Sequence, residues 1–512
     1  MADAGRGGSG TATLLTVATL CGALLMALEI LASRVLAPHF GNSVYVWGSI
    51  ISVFLAAMSI GYFWGGRIAD RRPDRVVLGR LILLAAVWIF ALRLWSAEVA
   101  RGLADATGAT PTGTLLACVV LFGVPGVLFG TVSPYVIRLA ADDLIRLGKT
   151  SGRIYALSTV GSLVGTLLCT FWAIPRFSVP VILAMLTLGT ALTAAVALAR
   201  RSIRDAVLSA LVGVAVLTAG GAGQATDQGV VAVRGTAYQT LEVFDRAGVR
   251  YLRSDRVTQG AYWLDSGEIA SRYVDYATAM FLITPDAGRA LAIGMGGGLL
   301  SKVLRRVAPE IEIDYAEIDP GVPEVAEAYG FWQPHPADRV HIGDGRRFLI
   351  DSEAQWDLIY VDAYIGRSVP FHLTTREFFS LARGHLAPGG TLALNLAAGI
   401  QDPFSLSLLH TLRRSFRTTL VFGVRGTGNV LVLGTDLAQP SSELIMERAQ
   451  AAADPGTRKR LLEVAERLVF WEYEASGVVE LSDDFAPAEH LVMLGERDYD
   501  LELLAPAIRD PD

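Results

Sequence analysis

The residues best placed to do chemistry stand at the ends of three apolar segments. Leu291-Ala292-Ile293-Gly294-Met295-Gly296-Gly297-Gly298 joins an apolar strand to a glycine turn, and Gly294, Gly296 and Gly298 let a nucleotide approach the backbone. Glu317 lies 21 residues beyond Gly296, at the end of the next apolar strand, where a carboxylate can accept both hydroxyls of a ribose. Asp344, followed by Gly345, ends a third such segment and can accept a hydrogen bond from an adenine amine. No G-K-[ST] follows the turn, and Leu299 stands where G-x-G-x-x-G needs its last glycine. A triphosphate or dinucleotide therefore fits poorly. An adenosine ligand without phosphate, such as an S-adenosyl donor, fits better, against the alternative of structural glycine turns and strand-end caps.

The elements that must position these residues alternate. After Pro285 the order is strand (RALAIGMGGG), helix (LLSKVLRRVA) and strand (EIDYAEID), a βαβ unit. Further strands are expected at RVHIGD, DLIYVDAY, TLALNL and VLVLG, with Ala387 to Gly390 as a turn before TLALNL. This is a Rossmann-like sheet with its ligand at the strands' C-terminal edge. Upstream, TAYQTLEVF, VRYLRS and AYWLD predict three strands of a small antiparallel sheet, with Arg246-Ala247-Gly248 as the first turn, and Tyr273 to Thr284 predicts one helix.

Composition sets the frame for these elements. The chain has 512 residues, 52% of them hydrophobic, and a mean hydropathy of +0.42, too apolar for a chain of soluble domains alone. Apolar runs long enough to cross a bilayer occur at about 14–36, 44–64, 76–95, 114–136, 155–173 and 179–199, with a shorter, glycine-rich run at 206–222. The expected domains are a multi-pass transmembrane bundle over 1–225, a small β-sheet subdomain over 226–285 and a Rossmann-like domain over 286–512. Alternate loops carry 11 basic residues against 3, which puts the basic set, including Arg67, Arg138 and Arg200, in the cytoplasm. A seventh full span would deliver the C-terminal domain outside. A glycine-turn site needs a cytoplasmic metabolite, so the expected arrangement is a multi-pass cell-membrane protein with its soluble domain in the cytoplasm.

Other partners and ligands are narrowed by charge and spacing. A net charge of −6 without a basic aromatic stripe excludes nucleic acid as an expected partner. Cys21, Cys118 and Cys169 all lie in apolar runs, and His335, His341, His372 and His385 have no zinc spacing, so no metal site is expected. Glu29 and Arg34 in the first run, and Gly66 to Arg72 with a G-x-x-x-D-R core resembling major facilitator transporters, leave a transport reading open beside plain ion pairing and topology.

From about 231 to 400 the chain resembles spermidine synthases, and the whole resembles membrane-fused relatives of that polyamine aminopropyltransferase family. The matching segments are Tyr238-Gln239, Gln259, Leu291 to Gly298, Ala316 to Asp319, Gly343-Asp344-Gly345, Asp357 to Asp362, Thr374 to Phe379 and Asp483 to Pro487. The resemblance implies an S-adenosylmethionine-methyltransferase-type domain. It implies transfer of an aminopropyl group from decarboxylated S-adenosylmethionine as co-substrate with no tightly bound cofactor; Gly297, where relatives carry an aspartate that would repel the donor's carboxylate, leaves S-adenosylmethionine itself open as the co-substrate. The acceptor would be putrescine or another amine, and the partners a lipid bilayer and a second copy in a homodimer. Carried across by position, Glu317 holds the ribose, Asp344 the adenine, and Gln259 and Gln239 line the donor and acceptor sites. Tyr273 joins the acceptor site, and Asp362 and Tyr364 are the catalytic candidates.

Two positions depart from the family's pattern. Gly297 replaces an aspartate of the turn, and Ile365 replaces the second aspartate of D-S-S-D-P, the one that the resemblance makes catalytic, while Asp362 remains. Losing an anion opposite a desolvated amine costs on the order of 2–5 kcal/mol. Tyr364, Asp275 or Asp483-Asp484 are candidates to replace them. Alternatives to the transferase are therefore a catalytically impaired adenosyl-binding domain that regulates its membrane bundle, and a transporter-like protein.

Overall fold

The structure, a computed structural model, describes residues 4–41, 43–107, 110–141, 147–198, 229–255, 257–364, 370–397, 403–469, 478–486, 488 and 491. The chain divides near residue 229 into two compact units.

The first unit is helical: α1 (Ala4–Phe40), α2 (Val44–Arg71), α3 (Arg75–Thr107), α4 (Pro111–Gly130), α5 (Val132–Ala140), α6 (Leu147–Leu168) and α7 (Val179–Leu198). A π-helical turn, Cys169–Ala173, extends α6. Ser43 and Thr110 cap α2 and α4 by accepting from Val46 N and Gly113 N, and Pro111 opens α4 where no helical N–H partner exists. Taking α4 with α5 and α6 with its π turn, six helical stretches are long and apolar enough to cross a membrane. They coincide with the first six apolar runs; the run at 206–222 lies outside the described residues. Gly66 to Arg71, expected in a loop, form the last turns of α2, and Arg72 N closes the helix onto Ile68 O.

Small residues bring these helices close. A Cβ at Gly161 or Gly165 of α6 would lie 2.0 Å from Thr19 O or 2.1 Å from Ala23 O of α1, and one at Gly61 of α2 would lie 2.3 Å from Val127 O of α4. Backbone contacts of this kind hold apolar helices together where water supplies no driving force. Outward, Leu55, Phe63, Trp64, Leu163 and Phe171 are exposed.

The second unit opens with four strands rather than three, β1 (Val230–Gly235), β2 (Thr240–Arg246), β3 (Val249–Ser254) and β4 (Val257–Trp263), in the order β1-β2-β3-β4. The β2–β3 turn falls at Ala247 and Gly248, both at positive φ, as the sequence implies. The single helix expected over 273–284 is instead three short helical pieces, Arg272–Asp275, Tyr276–Thr278 and Ala279–Ile283.

An eight-stranded sheet follows: β5 (Arg289–Ile293), β6 (Glu312–Glu317), β7 (Asp338–Ile342), β8 (Trp356–Val361), β9 (Leu386–Leu396), β10 (Thr418–Gly423), β11 (Val430–Thr435) and β12 (Leu468–Val469). Its order is β12-β10-β11-β9-β8-β5-β6-β7, parallel from β9 to β7 and antiparallel at β11, β10 and β12. β10 and β12 carry no expectation from sequence. β9 begins at Leu386, so Ala387 to Gly390 belong to the strand, across an irregularity in its pairing with β8. Helices α8 (Leu299–Val307), α9 (Gly321–Ala328), α10 (Gly345–Asp351), α11 (Arg376–Gly384), α12 (Pro403–Ser415), α13 (Ser442–Gln450) and α14 (Pro455–Ala465) connect or flank the strands. In β5, Ala290 and Ala292 enter one core while Leu291 and Ile293 enter another. A strand covered on both faces must be apolar throughout, which is why LAI reads as an unbroken run.

Gly165→Val is expected to loosen the α1–α6 contact and to lower stability by about 1–3 kcal/mol, because Ala23 O leaves no space for a side chain. Retention of the monodisperse peak after heating detergent-purified chain checks it; an unchanged melting curve contradicts the tight-packing account.

Candidate active site

The sheet reverses its direction of growth between β5 and β8, so the loops leaving these strands diverge and open a cleft. It encloses about 820 Å³ including its open mouth. Tyr238, Gln239 and Gln259 line it from the small sheet; Gly294, Gly296, Glu317, Asp344, Gly345 and Asp362 line it from the ends of β5 to β8; and Tyr364 and His372 come from the segment beyond β8. Gly298 and Tyr273 lie outside this lining.

The glycine turn is required by geometry. Gly294, Gly296 and Gly298 have φ of 88°, 52° and 68°, and a Cβ at Gly294 would lie 2.4 Å from Asp362 O. Gly298 also precedes α8, whose N-terminus faces the turn. Gly297 differs. A Cβ there would make ordinary contacts with Gly260, Leu299 and Phe331 at 3.5–3.7 Å, away from the cleft lining. An aspartate side chain at this position would enter an apolar surround.

Glu317 is buried, with Oε2 accepting from Met295 N at 2.8 Å and Oε1 from Asp319 N at 2.9 Å. Burial raises its carboxyl above the usual range, and the N–H bonds from Asp319 and Met295 oppose that rise. These bonds tie the end of β6 to the glycine turn and fix the carboxylate where β5 and β6 leave the sheet. Asp344 caps α10 by accepting from Arg347 N at 2.8 Å, while its Oδ2 meets His372 Nε2 at 2.8 Å. Gly345 seats α10 on β5, since a Cβ there would lie 2.4 Å from Ile293 Cγ2. Gln239 donates to Asp319 Oδ2 at 3.1 Å and accepts from the Ser254 hydroxyl.

Asp362, one residue past β8, is the site's most perturbed acid. Burial lifts its carboxyl from the ordinary value to about 6, while hydrogen bonds from Asn395 and Tyr360 pull it down. Asn395 Nδ2 donates to Oδ1 at 2.8 Å, and the Tyr360 hydroxyl stands 3.5 Å from Oδ2. Burial, and then the Asp362 charge, push the Tyr273 and Tyr360 hydroxyls well above their usual range. Those phenols stay neutral donors. Tyr273 donates to Gln259 O at 3.1 Å. Tyr364 donates to Asn395 O and accepts from Ala397 N, both at 2.9 Å, so its hydroxyl clasps the end of β9.

Of the acids offered as replacements, Asp275 accepts from Arg306 at 3.0 Å, and Asp483 pairs with Arg346 at 2.7 and 2.6 Å and with Thr375 at 2.7 Å. Neither lines the cleft, and Ile365 lies outside the described residues. Sequence reasoning missed Asn395, Tyr360 and His372. His372 follows an apolar Val369-Pro370-Phe371, and its only sequence signal was proximity to Thr374 to Phe379.

The strand order and the glycine-turn cleft define a Rossmann-like domain of the S-adenosylmethionine-methyltransferase type. A polyamine aminopropyltransferase of Vibrio vulnificus (strain CMCP6) is 32% identical over 231 residues, 42% of this chain and 75% of its own. The chain belongs to the polyamine aminopropyltransferase family, the spermidine synthase-like proteins. A probable polyamine aminopropyl transferase of Bifidobacterium longum (strain NCC 2705) is 30% identical over 282 residues, 50% of this chain and 62% of that one. Among solved structures, a probable spermidine synthase from Corynebacterium glutamicum is 17% identical with a TM-score of 0.38, covering 46% of this chain and 94% of its own. No family model matches the chain.

Because folding raises the Asp362 pKa, the native state holds that proton more tightly than the unfolded chain does. Its contribution to stability is full below about pH 4 and is lost as pH rises through about 6. Asp362→Asn, which cannot ionise, is expected to gain about 1–3 kcal/mol over wild type at pH 8 and nothing at pH 4. Hydrogen exchange of the β8 and β9 amides measures this; a variant less stable at pH 8 would show that Asp362 is not a desolvated charge.

Proposed function

We propose that this chain is a membrane-anchored aminopropyltransferase, moving the aminopropyl group of decarboxylated S-adenosylmethionine to an amine such as putrescine. The observation that carries this is the half-buried Asp362 carboxylate, which lines the same cleft as Glu317 and the glycine turn. Relatives named polyamine aminopropyltransferase support it and do not favour a purely regulatory domain. Glu317 takes the ribose hydroxyls, Asp344 and Gly345 the adenine edge, and Gln259 and Gln239 the walls beside the sulfonium and the acceptor; Tyr273 holds Gln259 in place.

In the reaction the acceptor nitrogen forms a bond to the carbon next to sulfur. The carbon–sulfur bond breaks with its electron pair going to sulfur, leaving neutral methylthioadenosine. The nitrogen's surplus proton goes to Asp362, whose pKa near 6 keeps it ionised and basic at neutral pH. Orientation supplies much of the remainder, since amine and donor share one enclosed cleft. Six apolar helices with exposed Phe63, Trp64 and Phe171 support anchoring in a bilayer. The reading includes the three domains 1–225, 226–285 and 286–512, and a cytoplasmic soluble domain.

Methylthioadenosine formation by purified full-length chain, given decarboxylated donor and a panel of amines, tests the activity. Turnover is expected to fall at least 100-fold in Asp362→Asn while donor binding by calorimetry stays within about threefold. In wild type, kcat/KM falls as pH drops below about 6. Full activity in the variant would remove Asp362 from the mechanism. A C-terminal reporter fusion tests the topology; phosphatase activity in the periplasm would overturn the cytoplasmic assignment.

A further inference from the structure

The Asp362 carboxylate is approached from behind by two consecutive side-chain amides. Asn395, buried at the end of β9, donates its Nδ2 to Asp362 Oδ1 at 2.8 Å. Asn429, in the connection between β10 and β11, donates its own Nδ2 to Asn395 Oδ1 at 3.1 Å. An amide that accepts at its oxygen must present its nitrogen elsewhere, so the bond from Asn429 Nδ2 matches the orientation in which Asn395 turns its Nδ2 to the acid. The Asn429 backbone is held: its N–H donates to Thr427 Oγ1 at 3.2 Å and its carbonyl accepts from Val424 N at 3.1 Å. The pairing Leu431↔Asn395 brings the start of β11 beside the end of β9, and Tyr364 fastens the Asn395 carbonyl from the other side.

We propose that Asn429 is a positioning residue for the transfer reaction, acting through Asn395 to hold Asp362 as an oriented, ionised proton acceptor. The proposal rests on Asp362 being the base. Its logic is directional. With Asn395 Nδ2 toward it, the carboxylate is stabilised in the charged form; with Oδ1 toward it, the charged form is repelled and the protonated form is favoured. Among the described residues, the titratable groups beside Asp362 are the phenols of Tyr360 on its own strand, Tyr273 and Tyr364, while Glu317, Asp344 and His372 line the same cleft from β6, β7 and the segment beyond β8. Tyr273 and Tyr360 are held neutral, which leaves the Asn395 amide as the strongest polar influence on the acid among the described residues. Sequence proximity could not reveal this chain, because its members are 33 and 34 residues apart.

Asn429→Asp tests the proposal with almost no change in size. Two acceptors would then face each other unless Asn395 turns its nitrogen toward position 429 and its oxygen toward Asp362. The expected result is an acid limb of kcat/KM moved up by about one pH unit, giving about tenfold lower activity below pH 6 and activity close to wild type at pH 9. Asn429→Ala, which frees Asn395 without adding charge, moves the limb in the same direction by less. Asn395→Leu removes the donor outright, and in that background Asn429→Asp should add little.

An equal shift from Asn429→Asp with and without Asn395 would reduce the effect to the field of a new charge and overturn the proposal. So would activity lost uniformly at all pH values in well-folded variants, as a purely structural role predicts. Infrared difference titration of the protonated carboxyl band, assigned with Asp362→Asn, reads the same shift without turnover. If wild-type chain forms no methylthioadenosine but this band still moves with Asn429, the proposed activity fails and the relay stands; if turnover occurs and neither readout moves, the relay alone fails.

Discussion

Where β5 and β8 part, two neighbouring parallel strands send their chains to opposite sides of the sheet, and a cleft opens between the ends of the strands. That divergence fixes the rest of the second unit. The cleft exists because of it, the glycine turn at Gly294 must be narrow because Asp362 O stands just behind it, and the acids Glu317 and Asp362 are strand-end residues held by backbone or amide donors. A side chain at Gly294 would push apart the two strands that create the site. The constraint is steric first and electrostatic second.

The electrostatic consequence follows from depth. Glu317 is buried and Asp362 half-buried, and desolvation raises both carboxyls, but their surroundings differ. Glu317 takes an N–H on each oxygen from the backbone of its own turn and its neighbour, a pattern suited to a carboxylate that stays charged and accepts from a ligand. Among the described residues Asp362 has one close donor, Asn395, and one distant phenol, Tyr360. The difference lies in how many donors reach each, a property of the strands beside them.

The parts legible in the sequence were those with local causes. β5, β6 and β8 are apolar because both faces of the sheet are covered, and the acids at their ends stand out against that background. Apolar runs of 20 or more residues made the six long helices plain. What escaped was decided at a distance. β10 and β12 are short antiparallel additions whose pairing with β11 and with each other, rather than their composition, makes them strands. β1 has the right residues but was lost beside a long apolar run. The helix expected over 273–284 breaks because Asp275 is drawn to Arg306 and Tyr276 accepts from Arg425 N, contacts made with distant elements. His372 was set aside for lacking zinc spacing, yet it meets Asp344 across 28 residues.

The same distinction governs how the missing family aspartates are weighed. At Gly297 the sequence comparison notes a lost charge, but the backbone directs any side chain there toward Gly260, Leu299 and Phe331 rather than along the cleft wall. Chemistry at the site therefore depends less on counting acids in a motif than on which acid is desolvated, aimed and supplied with donors. Asp362 meets all three conditions through Asn395, and Asn395 through Asn429 and Tyr364. A motif reduced to its first aspartate still leaves a carboxylate with a side-chain donor, because the fold rather than the motif supplies its partners.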